Sequence, residues 1–363
     1  MIVINTLQCG GAERFVERLS SELIDDVKIT VVVFTTEKQY FELDKKITVI
    51  DLKRTNSFDI LRVCRGIRSA VKTTKPDAIL SVMSSVTFQT VLSLIGIRNI
   101  KLYARECVCH NKLLSGVNKI LHKILLPICL QMCNGVICQS NGAAKELIKY
   151  FYVPTKKITV INNLINTSKI RLLSEDNVEH RWFNENNFVI VSCANFSKYK
   201  DHCTLLKAMY ALKMKTYNLK LILLGDGDLR HHLEKLTHDL RLDNIVDFVG
   251  QVKTPFSYFK KSDLFILSSK TEAFPNVVIE AMACGVPVIS SDCDYGPREI
   301  INDGVNGRLF AVGDYVSLAG LIEDTINNKN LYKDMARIAF DDINKKFSKD
   351  IIVNQYKKVL FNE

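Results

Sequence analysis

No apolar run in this 363-residue chain is long enough to cross a bilayer. The longest, residues 86–97 and 124–130, fall short of the roughly 20 residues a spanning helix needs. The opening Met1-Ile-Val-Ile-Asn-Thr6 is too short for a secretory leader and runs straight into a glycine turn. A protein that lies in the cytosol or on a membrane, without spanning it, is therefore expected. There is no disulfide or zinc framework among the 11 cysteines. Cys107 and Cys109 form a C-x-C pair, and Cys129 and Cys133 stand four apart on an expected helix. Neither has a matching pair at metal-ligand spacing. Reduced cysteines used as small hydrophobes fit this pattern and suit the cytosol. The seven histidines show no metal-ligand spacing either. The full G-x-G-x-x-G is absent after the first expected strand, which disfavours a nicotinamide or flavin. No RNA- or DNA-binding motif is present, and few aromatics interleave with the basic residues of the first half, so no nucleic-acid partner is expected. Internal repeats and low-complexity segments are also missing.

What is present is a soluble composition, 47% apolar and 24% charged, in a length that suits two domains. The net charge of +10 is unevenly placed: residues 1–165 hold 23 Lys+Arg against 13 Asp+Glu, residues 166–363 hold 26 of each. Such asymmetry points to an anionic surface or substrate for the first half. Residues 2–6 read as a strand. Gly10 and Gly11 open a helix with apolar positions at Ala12, Phe15, Val16, Leu19 and Leu23. Further strands fit residues 28–35, 78–82, 100–104, 135–139 and 157–161, with helices between them, the pattern of a parallel sheet. The periodicity breaks in polar, Asn-rich sequence after residue 162, and a linker is placed at 163–169. A second series follows, with strands at 188–194, 220–224, 246–249, 263–269 and 286–290. The domains expected are 1–165, 166–345 and a last helical segment, 346–363. The fold class is α/β with two Rossmann-like halves.

The most informative stretch runs from Ser269 to Asp292. It sets Glu272 in a loop and Glu280 eight positions on, in the early turns of a helix. Pro275 and Asn276 sit where helices start and Gly285 where they stop. Free N–H groups and the positive dipole end at such a start suit a diphosphate. Glu280 is then near enough to accept hydrogen bonds from a diol. The plain alternative is two surface acids favoured by the helix dipole.

The spacing Glu272-Ala-Phe-Pro-Asn-Val-Val-Ile-Glu280, with Ala281-Met-Ala-Cys-Gly-Val-Pro-Val-Ile289, Gly304-Val-Asn-Gly307 and Gly10-Gly11-Ala-Glu-Arg14, resembles retaining glycosyltransferases of family 4. The likeness runs over nearly the whole chain. It implies the GT-B fold, two Rossmann-like domains facing across a cleft, with the acceptor bound by the first domain and a nucleotide-diphosphate sugar by the second. It implies that Glu280 holds ribose hydroxyls and Glu272 hydroxyls of the transferred sugar. Lys200 matches the family lysine on the donor phosphates, whereas Asn195 stands where the family has Arg. Lys198 and Arg298 are candidates for the missing charge. Gly225 of Gly225-Asp-Gly-Asp228 and Gly250 of Phe248-Val-Gly250 are implied to line the nucleotide site. Backbone N–H groups of Phe274, Pro275, Asn276 and Val277 complete it. Gly10 and Gly11 either make a tight turn or admit the donor phosphate or acceptor. Arg105 and His110 either reach the sugar or are structural.

Asp292-Cys-Asp294 has the letters of a metal motif but lies in a loop that resembles the family's approach to the donor site. No cofactor and no metal are expected. The donor implied is a nucleotide-diphosphate sugar, UDP-linked by preference, carrying a hexose or N-acetylhexosamine. The acceptor implied is lipid-linked or an oligosaccharide, in bacterial surface-polysaccharide synthesis. Residues 53–75 carry Lys53, Arg54, Arg62, Arg65, Arg68, Lys72 and Lys75 against Asp59, with Ile60, Cys64, Ile67 and Val71 on one expected helical face. That segment is expected to meet an anionic membrane surface on the cytoplasmic side. A nucleotide-sugar epimerase of the same fold and a basic nucleic-acid-binding protein are the alternatives.

Overall fold

The computed structural model describes the chain apart from residues 9, 38, 57–58, 107–115, 184–185, 214, 216–217 and 362–363, and gives only the backbone of 116–123. Two compact units result: Met1–Leu164 with Lys349–Glu363, and Ile165–Ser348. The boundary falls one residue before the expected one at the first junction and three residues after it at the second.

In unit 1 the described elements run β1 (Ile2–Ile4), α1 (Gly11–Leu23), β2 (Thr30–Val33), β3 (Thr48–Asp51), α2 (Ile60–Thr74), β4 (Ala78–Val82) and α3 (Ser84–Leu94). They continue with β5 (Lys101–Glu106), α4 (Gly116–Met132), β6 (Gly135–Cys138), α5 (Asn141–Phe151) and β7 (Ile158–Val160). All the strands are parallel, in the order β3-β2-β1-β4-β5-β6-β7. A parallel sheet is covered on both faces, so its central strands read as continuous apolar runs such as Thr30-Val-Val-Val33, buried throughout. β3 has no such run. It is an edge strand whose residues are exposed or half-buried, so it carries no apolar run to mark it.

One face of this sheet is packed by α2, α3, α4 and α5. The other is packed by α1 and by the chain's last helix, which supplies Ile352, Val353, Tyr356 and Leu360. Arg105 ties that helix in. It is 1% exposed, its Nε donates to Tyr356 Oη at 3.0 Å, and its guanidinium lies 3.5 Å over the Phe15 ring. It also donates to Gln139 and Asn163. The structure thus turns Arg105 into the core, the structural one of the two settings the sequence left open. Helix α2 is rotated from its expected setting. Val63, Ile67, Ala70 and Val71 are buried, while Ile60 is exposed.

In unit 2 the series runs α6 (Thr167–Ser174), β8 (Phe188–Cys193), α7 (His202–Leu212), β9 (Leu219–Leu224), α8 (Arg230–Asp239), β10 (Val246–Gly250) and α9 (Phe256–Lys261). Next come β11 (Leu264–Leu267), α10 (Asn276–Ala283), β12 (Val288–Ser291), α11 (Pro297–Ile300), β13 (Arg308–Phe310), α12 (Tyr315–Asn327) and α13 (Lys329–Phe347). The final helix α14 (Lys349–Phe361) is the one in unit 1. The second sheet is again parallel, β10-β9-β8-β11-β12-β13. Half of the expected linker is helix α6, capped by Asn166 Oδ1, which accepts from Lys169 N. Ile170 and Trp182, the one tryptophan, lie in the core beneath it. A short helix with two large apolar anchors has too little periodicity to show in an Asn-rich stretch.

His202 opens α7 at 2% exposure, edge-on to Phe196 with ring centroids 5.0 Å apart. Burial, and then the charge of Lys200, push its imidazole down to about 4.

Two stability outcomes follow. Tyr356→Phe removes the acceptor of a buried guanidinium N–H and is expected to cost about 1–3 kcal/mol, read by urea unfolding. An unchanged midpoint would show that the phenol contributes nothing to docking α14. For His202 the folded group protonates at lower pH than the unfolded one. The unfolded chain therefore takes up a proton first as pH falls from 6.5 toward 4, and stability drops through that window. The loss is expected to be about 2–3 kcal/mol, and His202→Gln should flatten that slope in melting curves recorded across the window.

Candidate active site

In open parallel sheets the strand order reverses at one point, and the crevice beyond the strand ends there is where ligands bind. In unit 2 that point lies between β8 and β11. The loop after β8 carries Asn195 to Asp201, and the loop after β11 carries Ser268 to Pro275. They are laced together. Ser268 Oγ donates to Lys200 O at 3.0 Å, and Lys270 N to Tyr199 O at 2.7 Å. Lys270 Nζ stands 3.3 Å from Asp201.

This lacing brings Lys200 Nζ to 2.5 Å from Glu272 Oε1. Ser269 Oγ donates to the same oxygen at 2.6 Å. The pair is partly shielded, with 27% of the Lys200 side chain and 11% of the Glu272 side chain exposed. Residues 72 apart in sequence thus form one charged, hydrogen-bonded group. Behind it, burial and then the charge of Glu272 push the Cys293 thiol up to about 12, so it is no nucleophile at neutral pH.

The far wall is the loop after β12. Tyr295 pairs its backbone with Glu272 in a parallel bridge and has φ 76°, a left-handed setting that a tyrosine rarely adopts. Gly296 next to it has no room for a side chain: a Cβ would lie 2.3 Å from Pro275 Cδ and 2.9 Å from Phe274 Cα. Strain of this kind beside Glu272 is a reservoir that the surrounding packing must hold.

Helix α10 starts at the end of the loop after β11, with Pro275 as its N-cap. The four expected backbone donors are reduced by the geometry. Pro275 has no N–H, and Asn276 N donates to Phe274 O at 3.0 Å. Phe274 and Val277 are left as the candidate donors. Glu280 is the fifth residue of the helix, in the early turns where the sequence reading placed it, and is 1% exposed. Its charge, after burial, helps push the Cys284 thiol up to about 12.

Gly225 and Gly227 explain the other side. Their φ values are 138° and 156°, and a Cβ at Gly225 would lie 2.1 Å from Ala194 O. At Gly227 it would lie 2.7 Å from Asn195 Oδ1. The turn after β9 is thereby pressed onto the turn after β8. Gly250, at φ 91°, ends β10. A residue that sequence reasoning missed sits beside it. Arg230 Nη2 donates to Phe248 O at 3.2 Å, and Nε to Glu234 at 2.8 Å. Only its place, first in the helix after Gly225-Asp-Gly-Asp228, could have signalled it.

The charge missing at Asn195 has no replacement in Arg298, whose guanidinium is held by both Asp292 oxygens. Lys198 is exposed, 5.1 Å from the centre of the Tyr199 ring. In unit 1, Gly10 is extended and Gly11 has open space around it, so neither needs glycine for its backbone angles. A Cβ at Gly10 would lie 2.2 Å from the Glu13 carboxylate, which also accepts from Thr6 Oγ1 at 3.2 Å. Glu13 is a second residue that was missed. His110 lies outside the described residues, as do Cys107 and Cys109.

Two family models match the chain nearly end to end: glycosyltransferase family 4 over residues 9–169 and glycosyl transferases group 1 over residues 174–342. One similar protein, from Campylobacter jejuni, is an N-acetylgalactosamine-N,N'-diacetylbacillosaminyl-diphospho-undecaprenol 4-alpha-N-acetylgalactosaminyltransferase. It is 25% identical over 357 residues, covering 94% of this chain and 95% of that one. An uncharacterized glycosyltransferase of Methanocaldococcus jannaschii is 28% identical over 290 residues, 78% of this chain and 70% of its own length. Among solved structures, HepE of Anabaena in complex with UDP-glucose superposes with a TM-score of 0.81 at 20% identity, over 99% of this chain and 98% of that one. That likeness shows the fold, the two Rossmann-like domains of GT-B. On these matches and this architecture, the chain belongs to the group 1, family 4 glycosyltransferases.

Proposed function

We propose that this glycosyltransferase moves a hexose or N-acetylhexosamine, with retention of configuration, from a UDP-sugar to a lipid-linked saccharide in bacterial surface-polysaccharide synthesis. The observation that carries the reading is the Lys200–Glu272 pair at the switch point of unit 2. A diphosphate leaving group gathers negative charge as the sugar departs. Lys200 and the N–H groups of Phe274 and Val277 are placed to receive that charge, and fixed donors of this kind lower a barrier directly. Glu272, released from Lys200, holds hydroxyls of the transferred sugar, and Glu280 receives the ribose diol. Counter-charge from Lys200 supports metal-independent transfer, in keeping with an Asp292 carboxylate already taken by Arg298. No carboxylate stands clearly as a covalent nucleophile, which favours front-face attack by the acceptor.

The donor and acceptor classes draw on the relatives. The Campylobacter jejuni enzyme is named for a diphospho-undecaprenol acceptor, and a 25% identical Staphylococcus aureus relative for capsular polysaccharide biosynthesis. HepE is solved with UDP and UDP-glucose. We further propose a cytoplasmic protein, peripheral on the inner membrane face, with residues 53–75 among its lipid contacts. Among the described residues no helix is long and apolar enough to cross a membrane.

Glu272→Ala and Glu280→Gln are each expected to leave the melting profile nearly unchanged and lower turnover at least about a hundredfold. Full activity in either folded variant sinks the assigned roles. Donor turnover without acceptor would favour an epimerase instead. Activity is expected to survive excess EDTA; loss on chelation with recovery on adding Mg²⁺ or Mn²⁺ would show a metal site in the enzyme.

A further inference from the structure

The charge excess of the chain is more local than a division into halves shows. Residues 60–157 hold 15 Lys+Arg and only 3 Asp+Glu. Of those acids, Glu106 and Glu146 are each 2% exposed, and Asp77 alone reaches solvent, in the turn after α2. The helices α2, α3 and α4 contain no acid at all, and α5 contains only the buried Glu146. These are the four helices that pack side by side on one face of the first sheet. Their outer surface is a cationic layer whose solvent-facing carboxylates, Asp59 and Asp77, lie only at the two ends of α2. Arg62, Arg65, Lys72, Lys145 and Lys149 stand out from it.

The same surface bears an apolar ridge. Ile124, Ile128 and Met132 follow one another at helical spacing along α4, exposed by 57%, 53% and 56%. Leu126, Cys129, Leu130 and the adjoining Cys133 fill the buried side of the same segment. The helix is therefore apolar on both sides over residues 124–132. A contiguous outward apolar stripe of this kind marks an interaction surface. Lys157 caps the end of the ridge, donating to Gln131 O and Cys133 O. Leu61, 74% exposed, adds a second apolar point on α2.

We propose that this four-helix face is a docking surface for an anionic lipid bilayer, with Ile124, Ile128 and Met132 entering the headgroup boundary and the surrounding cations meeting lipid phosphates. Charge complementarity selects the occupant. A face with five exposed cations and carboxylates only at its edge attracts anions, and aliphatic side chains set among cations match an interface that is apolar inside and negative outside. Nucleic acid would engage the charge but leave the aliphatic ridge in water, since bases stack on aromatics. The proposal deepens the membrane reading above and moves its centre from α2 to α4. Arg68 drops out of the lipid-facing set, because its Nη1 is spent on Ser93 O and Ile95 O.

The test is co-sedimentation of the full chain with phosphatidylcholine vesicles, with and without phosphatidylglycerol, at low and high salt. Wild type should bind the anionic vesicles, ignore the neutral ones, and weaken as salt shortens the screening length. Replacing Arg62, Arg65, Lys145 and Lys149 together by Gln should cut binding at low salt at least about tenfold. The triple variant Ile124→Ser, Ile128→Ser, Met132→Ser should bind at low salt but lose the salt-resistant fraction. All these positions are exposed, and melting curves would confirm that the variants fold. Wild type that ignores anionic vesicles, or variants that bind as wild type does, would overturn the proposal. So would tighter retention on bulk duplex DNA than on vesicles. UDP-sugar binding by the same preparations reads the catalytic assignment separately, because Glu272 and Lys200 belong to unit 2.

Discussion

The contact between Lys200 and Glu272 is the constraint on which the site in unit 2 depends. It joins two loops that follow β8 and β11, and those strands are neighbours only because the chain order reverses there. Every nearby oddity serves that contact. Gly225 and Gly227 allow the turn after β9 to press on Ala194 and Asn195 from one side. Gly296 allows the loop after β12 to press on Phe274 and Pro275 from the other. Tyr295 accepts an unfavourable backbone angle to pair with Glu272. A Cβ at any of the three glycines would push on backbone, which cannot yield as a flexible side chain does.

The pair also has a chemical logic. A lysine beside a carboxylate is already organised, so little reorganisation is needed when a diphosphate arrives to compete for it. Interactions that strengthen only as charge develops on the leaving group raise the rate, whereas equal binding of ground and transition states does not. On the proposed roles, Glu272 would pass from partner of Lys200 in the free protein to sugar ligand once Lys200 turned to phosphate. Ser269 donates to the same carboxylate oxygen and fixes its orientation in the free protein.

How much of this was legible depended on the range of each interaction. The strand and helix series, Gly225, Gly250, Lys200 and both glutamates carry local signals: apolar runs, breakers and a spacing of eight. The families matched over residues 9–169 and 174–342 agree with the resemblance drawn from those words. The edge strand β3 was not legible, because half-exposed edges carry no apolar run. Nor was helix α6, hidden in polar sequence with only Ile170 and Trp182 as distant anchors. Arg105 was ambiguous for the same reason. Its partners Phe15, Gln139, Asn163 and Tyr356 come from four separate parts of the chain, and no local pattern announces them. Arg230 and Glu13 were missed because a charged residue in the first turn of a helix is ordinary, and only the loop it leans on makes it notable.

The two units divide the physical work by charge. Unit 2 is nearly balanced, with 23 Lys+Arg and 24 Asp+Glu over residues 166–348. Unit 1 concentrates its cations on one face of its sheet, over residues 60–157, and leaves the opposite face to α1 and α14, where both signs are mixed, Glu13, Glu17, Glu22 and Asp350 among Arg14, Arg18, Lys349, Lys357 and Lys358. Folding does not require that segregation. Buried faces of α2 to α5 would pack as well under a mixed surface, and a single-sign layer destabilises the compact state by self-repulsion. A cost of that kind, borne on one face only and joined there to an outward apolar ridge, is what an anionic and partly apolar partner would offset. A lipid surface, the partner proposed for this face, has both properties.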